Sequence, residues 1–205
     1  LRPKGIIFSG GPASVYEKNA PTIDKRIFEL GIPILGICYG LQLMMYLLGG
    51  VVRPGKIKEY GPAILEKDEK LQQVGGSDLL TRVDNAISVW MSHGDVVESV
   101  PPEFHVVAST KTIACAVVED KKRKIFGIQF HPEVVHTPDG VIILETFIKI
   151  CGLKIKKVNI DKEFVENLIK DIKYSVGEEK AICALSGGVD SSVAALLVHR
   201  AIGEN

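Results

Sequence analysis

Charge of one sign is missing from this sequence: 25 lysines and arginines are matched by 25 aspartates and glutamates across 205 residues. That balance removes the electrostatic case for nucleic-acid or anionic-membrane binding, which rests on a basic excess. Long apolar runs are missing too, so nothing reads as a bilayer span or a signal peptide. Cysteine is sparse. Cys38, Cys115, Cys151 and Cys183 form no C-x-x-C pair, which argues against a disulfide scaffold and for a reducing, cytoplasmic setting. No repeat or low-complexity stretch is present. What remains is 46% hydrophobic and 24% charged, the balance of a globule with a proper core.

Strand and helix signals alternate along the chain. Gly5–Phe8 reads as a buried strand, and residues 22–30 as a helix capped by Thr22 and stopped at Gly31. Pro33–Ile37 is a second strand. Tyr39–Leu48 is apolar almost all round and reads as a buried helix ended by Gly49 and Gly50. From 51 to 130 the pattern is β-rich: Ala63–Leu65, Ser88–Met91, Val106–Ala108, Ala114–Val118 and Ile125–Phe130. Glu119–Lys124 reads as a charged, solvated hairpin loop between the last two. Residues 139–150 form a helix, Lys154–Lys157 a polar connector, and Asp161 caps a helix to Tyr174. Ala181–Leu185 is a strand feeding a glycine-rich turn and a last helix that ends near Gly203. A domain boundary is expected at 152–160. A first strand that opens the chain directly, and a last helix with no strand after it, suggest a piece of a longer protein.

The sharpest feature is Gly36-Ile37-Cys38-Tyr39-Gly40. Strand, G-x-C-x-G turn and helix make the geometry of a nucleophile elbow, with cysteine where hydrolases carry serine. The glycines let the backbone turn tightly, and a helix N-terminus favours thiolate over thiol. A buried structural cysteine is the weaker reading of Cys38 and the better one for Cys115, Cys151 and Cys183.

A thiolate needs a proton shuttle. His131 follows the strand Ile125–Phe130, and Glu133 stands two residues on, within reach of the imidazole across Pro132. Cys38, His131 and Glu133 therefore make a candidate triad. A metal set of His131, Glu133 and His136 is disfavoured, because Pro132 prevents the single helical face on which H-E-x-x-H works. No metal site is expected there. His105 and His199 read as surface or packing residues. Ser9-Gly10-Gly11-Pro12 follows the first strand, and the Gly11 and Tyr39 amides could form an oxyanion hole. A plain tight turn explains those glycines equally well.

Together, Ser9–Pro12, Gly36–Gln42, Trp90-Met91-Ser92-His93-Gly94-Asp95 and Gln129–Glu133 resemble the class I, triad-type glutamine amidotransferases over the first 150 residues. The resemblance implies a flavodoxin-like doubly wound α/β sheet with extra β-strands. It also implies a cysteine that attacks the side-chain amide of glutamine and releases ammonia through a thioester. Cys38 would be nucleophile, His131 general acid/base and Glu133 its orienting acid, with Gln42, Ser92 and His93 holding the glutamine. Members of that family begin with a further strand and helix before the segment at Leu1.

Ser186-Gly187-Gly188-Val189-Asp190-Ser191-Ser192 is a second glycine-rich turn at a helix start, an anion cradle in form. It lacks the lysine of a Walker A loop. It resembles the pyrophosphate loop of ATP pyrophosphatases, whose domain is of the adenine-nucleotide alpha-hydrolase-like kind. The resemblance implies an amidotransferase domain at 1–152 and the first strand, loop and helix of such a domain at 158–205. A triad amidotransferase upstream of this loop is similar to the glutamine-hydrolysing GMP synthases, and Glu59-Tyr60-Gly61, His131–Thr137 and Glu179-Lys180-Ala181 agree. That family implies glutamine, ATP with Mg²⁺, and xanthosine monophosphate (XMP) as ligands, with a homodimeric full-length protein. Two alternatives stand beside it: a stand-alone glutaminase serving another synthase, and an inactive truncated fragment.

Overall fold

The computed structural model describes residues 2–73, 75–155, 162–185 and 187–203. They fall into two compact units, Leu1–Ile155 and Lys156–Asn205. No helix among the described residues is long and apolar enough to cross a membrane.

The first unit is built on one seven-stranded mixed sheet. Its strands are β1 (Ile6–Phe8), β2 (Ile34–Ile37), β3 (Val51–Lys67), β4 (Ala86–Ser99), β5 (His105–Ser109), β6 (Val117–Asp120) and β7 (Ile125–Ile128). They lie in the order β1-β2-β7-β6-β5-β3-β4. The first three pair in parallel and the rest antiparallel. β2 and β7 are buried at every position, which is why both read as continuous apolar runs. Alternate residues serve two cores. Leu35, Ile37, Phe126 and Ile128 face one core with Ile143 and Phe147 of α3 (Gly140–Ile150). Ile34 and Ile125 face the other with Leu41, Met44 and Met45 of α1 (Tyr39–Leu48). Helices thus cover both faces of the parallel strands, as an α/β sheet requires. α1 spans the predicted residues, closed by Gly49 at φ +98°, a conformation that favours glycine.

Three sequence expectations need correction here. Residues 22–30 hold only a 3₁₀ turn, Lys25–Glu29, capped by Asp24, whose carboxylate accepts from the Arg26 amide at 2.9 Å. Only Phe28 is buried there, too little packing to support an α-helix. The strand expected at Ala114–Val118 lies at Val117–Asp120, so Glu119 and Asp120 are strand residues, and both are buried. Glu119 is not a loop charge. Its carboxylate accepts from the Asp78 amide (3.1 Å), the Leu79 amide (3.1 Å) and the Ser77 hydroxyl. Burial raises its pKa, and those three hydrogen bonds oppose the rise.

In the second unit, α4 (Lys162–Val176) and α5 (Val189–Ile202) are helical as expected. The proposed Asp161 cap and residues 156–157 of the connector lie outside the described residues. Ala181–Leu185 is not a strand. It is exposed throughout, Ile182 fully so, and among the described residues it has no strand to pair with. An unpaired extended segment has no ladder to satisfy its backbone.

Candidate active site

Cys38 joins β2 to α1 with φ +51° and ψ −105°, a backbone that L-residues rarely adopt and that stores strain. Its neighbours make the turn possible. A Cβ on Gly36 would meet the Met44 methyl and the Gly40 carbonyl, and one on Gly40 would overlap the Phe8 carbonyl. The Cys38 amide donates to the Ile128 carbonyl at 2.8 Å, and its carbonyl accepts from the Gln42 amide at 3.1 Å, opening α1. The elbow is thereby fixed to β7 on one side and to the helix on the other.

The sulfur sits in a polar setting inside an apolar core. Cys38 Sγ lies 3.6 Å from the Ser92 carbonyl, and Gln129 Nε2 donates to it at 3.7 Å. His131 follows the end of β7, and its Nδ1 is 2.6 Å from Glu133 Oε1, which leaves Nε2 for the sulfur. The hydrogen bond with Cys38, and after it that with Glu133, push the His131 imidazole up to about 9 against the opposing effect of burial. At neutral pH the ring holds its second proton between two acceptors. Gly10 closes the arrangement: a Cβ there would be 2.9 Å from His131 Cε1 and 3.7 Å from Cys38 Cβ. The three predicted triad residues are therefore neighbours in space.

A cleft of about 700 Å³ opens beside the sulfur, lined by Gly10, Gly11, Cys38, Gln42, Ser92 and His93 among others. The Cβ position of Gly11 is 3.5 Å from the Tyr39 ring, and Tyr39 opens α1, where amides have no intrahelical partner. Both amides of the suggested oxyanion hole thus belong to segments at the cleft. Strand β4 buries every second side chain, and His93 and Asp95 occupy buried positions of that alternation. Burial lowers the pKa of His93, with Glu59 opposing at 3.6 Å. Gln42 is at the cleft, but its Nε2 donates to the Asp95 carbonyl at 2.9 Å and approaches Gln129 Oε1 at 3.5 Å. Its amide N–H group thus supports the wall as well as facing the cleft.

Gln129 is the contact that sequence reasoning leaves without a role. It is fully buried, touches the sulfur and bears on Gln42. The signal available was an uncharged polar side chain at the end of a buried strand, one residue before the aromatic that precedes His131.

The second glycine turn is described apart from Ser186, which lies outside the described residues. Gly187 has φ +82°, and Gly188 precedes α5. The Ser191 and Ser192 hydroxyls donate to the Gly188 carbonyl at 3.0 and 2.8 Å. Val189 is exposed. Among the described residues no cluster of three or more metal-ligating side chains is present.

A strained cysteine elbow in an α/β sheet, with a carboxylate-paired histidine at the sulfur, has the geometry that cysteine nucleophiles use. Residues 1–151 match the family "Glutamine amidotransferase class-I", and the chain belongs to that family. It is 50% identical to "GMP synthase [glutamine-hydrolyzing]" of Caldicellulosiruptor saccharolyticus, over 99% of this chain and 38% of that protein. The same identity and coverage hold for the protein of that name from Carboxydothermus hydrogenoformans. The chain thus spans about two fifths of the length of these relatives. Among solved structures, a Thermoplasma acidophilum protein, provisionally described as one subunit of a GMP synthase, is 31% identical, with TM-score 0.61 and 73% of each chain covered. A Thermotoga maritima glutamine amidotransferase has TM-score 0.52 at 23% identity, covering 97% of this chain and 78% of that one, a likeness of fold alone.

Proposed function

We propose that this chain is the glutamine-hydrolysing part of a GMP synthase, in which ammonia made at Cys38 aminates XMP at the expense of ATP. The observation that carries the reading is the Cys38–His131–Glu133 geometry on a strained elbow beside a cleft. The names of the relatives point to the acceptor chemistry.

In the glutaminase reaction, Cys38 Sγ attacks the side-chain amide carbon of glutamine. The carbonyl oxygen becomes an oxyanion, for which the Gly11 and Tyr39 amides are the donors. Imidazolium His131 gives its proton to the departing nitrogen, the C–N bond breaks and ammonia leaves a thioester on Cys38. His131, now neutral, takes a proton from water as the water oxygen attacks the thioester, and glutamate and the thiolate are released. Glu133 on Nδ1 holds the ring's orientation and its charge through both steps. Ser92 and His93 line the part of the cleft that would receive the amino-acid end of the substrate.

Residues 186–192 are assigned to the ATP phosphates, and the domain that uses them to 158–205 and beyond, after an amidotransferase domain at 1–152. A left-handed Gly187 at the start of a 14-residue helix suits an anion. When bound, ATP with Mg²⁺ supplies the adenylyl group that activates XMP. The full-length protein is assigned as a cytoplasmic homodimer.

The test separates the two half-reactions. Cys38→Ala in the full-length protein is expected to abolish glutamine-dependent GMP formation and to leave ammonia-dependent formation intact. Continued turnover of glutamine would remove Cys38 from the nucleophile's role. Loss of the ammonia-dependent reaction as well would show that Cys38 does more than release ammonia.

A further inference from the structure

Both backbone polar groups of His131 are tied to one residue, Trp90 of β4. The His131 amide donates directly to the Trp90 carbonyl at 3.0 Å. The return bond is not direct. The Trp90 amide donates to Thr137 Oγ1 at 3.0 Å, and that hydroxyl donates to the His131 carbonyl at 2.7 Å. A side chain six residues downstream thus stands as a one-atom link in a two-bond bridge between β4 and the segment after β7.

The link is well anchored. Thr137 is buried. Its amide donates to the Val134 carbonyl at 3.0 Å, and its carbonyl accepts from the Gly140 amide at 3.0 Å. Gly140 in turn packs so closely on Pro132 that a Cβ there would overlap the Pro132 carbonyl. The His136 ring stacks on Trp90, centroids 4.4 Å apart. Two residues along β4 from Trp90, the Ser92 carbonyl is in contact with Cys38 Sγ. One short stretch of β4 therefore references both reacting partners: the sulfur through Ser92, and the histidine through Trp90 and Thr137.

We infer that Thr137 is a positioning residue for His131, its hydroxyl bridging Trp90 N–H to the His131 carbonyl so that the imidazole meets the Cys38 sulfur at the correct height. The inference rests on the glutaminase reading above, and its test includes a measurement that does not. Glu133 holds the ring from the side-chain end, and Thr137 holds the same residue from the main-chain end. A displacement of roughly 1 Å in such a pair can cost about a hundredfold in rate.

The test uses the full-length protein with Thr137→Val, which keeps size and shape without the hydroxyl, and Thr137→Ser, which keeps the hydroxyl without the methyl. Glutamine hydrolysis and the rate of Cys38 alkylation by iodoacetamide are measured on variants that melt as a single transition. Thr137→Val is expected to lower kcat by about ten- to a hundredfold with KM nearly unchanged, and to slow alkylation at neutral pH several-fold. Thr137→Ser is expected to retain both rates within about threefold, although it is the variant that leaves a cavity. A role in packing alone predicts the reverse ranking. Equal kcat in Thr137→Val and the parent, or equal losses in both variants, would overturn the inference. Should Thr137→Val not fold, Thr137→Cys, with its weak S–H donor, takes its place under the same criteria. If the parent itself hydrolyses no glutamine, the functional reading fails. The alkylation comparison then still decides the role of Thr137, and unchanged alkylation in Thr137→Val overturns it.

Discussion

Gly40 packs against Phe8 so closely that a Cβ on the glycine would overlap the Phe8 carbonyl, Cβ and C atoms. The contact binds the first turn of α1 to strand β1, on the neighbour of the strand that carries Cys38. Backbone cannot move aside as a flexible side-chain tip can, so Gly40→Ala must displace either β1 or the elbow. The expected outcome is a folded protein with glutamine hydrolysis reduced about a hundredfold and ammonia-dependent synthesis little changed. Steady-state assays with the two nitrogen donors check it, and equal losses with both would place the damage elsewhere.

A pH dependence follows from His131. Its pKa in the fold is raised from 6.5 to about 9, first by Cys38. Native protein therefore binds a proton more tightly than unfolded chain there, and stability from this pair is fully present below the unfolded value and lost as pH rises through about 9. Cys38→Ala removes the main cause. The melting temperature of the parent should exceed that of Cys38→Ala by more at pH 6 than at pH 10, in matched salt. A difference that grows with pH would contradict the raised His131 pKa.

Gln129 donates to the sulfur through Nε2, so Gln129→Leu removes a donor and leaves a side chain of similar bulk. Loss of one hydrogen bond, about 0.5–1.5 kcal/mol, corresponds to roughly tenfold in rate at most. Iodoacetamide alkylation of Cys38 and kcat for glutamine should each fall by about that factor. Unchanged alkylation would show that the contact carries no weight.

What was legible in the sequence is what local geometry dictates. The elbow is readable because G-x-C-x-G answers two close backbone approaches, and α1 because the residues between Cys38 and Gly49 are apolar apart from Gln42. Glu133 is readable because it stands two residues after His131. What escapes is long-range. Glu119 sits in a run of charges that looks solvated, while its partners Ser77, Asp78 and Leu79 are about forty residues away. Gln129 and Thr137 likewise acquire their contacts only when β4, β7 and α1 come together. Ala181–Leu185 shows the opposite error, an apolar run whose strand pattern lacks a partner among the described residues.

Glu119 has a measurable weight in stability. Replacing it with alanine strands two backbone amides and a hydroxyl that its carboxylate now satisfies, and each buried unsatisfied donor costs about 1–3 kcal/mol. Leu79 and Leu80 in that turn are part of the core. Glu119→Ala should destabilise the protein by about 2–4 kcal/mol in denaturant titration, whereas Cys115→Ala, a small truncation with no hydrogen bond to lose, should cost no more than about 1–2 kcal/mol. Equal effects would mean that the carboxylate is dispensable.

The second glycine turn is tested through Asp190, in the first turn of α5. A carboxylate repels phosphate oxygens, so its expected work is to accept N–H bonds that shape the turn or to assist Mg²⁺ through water. Neither task touches the elbow at Cys38, which is held by β2, β7 and α1. Asp190→Ala in the full-length protein should therefore block GMP formation from free ammonia with ATP by at least tenfold. Glutamine hydrolysis measured alone should survive, apart from any stimulation relayed from the nucleotide site. Ammonia-dependent synthesis at the parental rate would remove residues 186–192 from the ATP site. The chain would then read as a glutaminase that serves some other synthase.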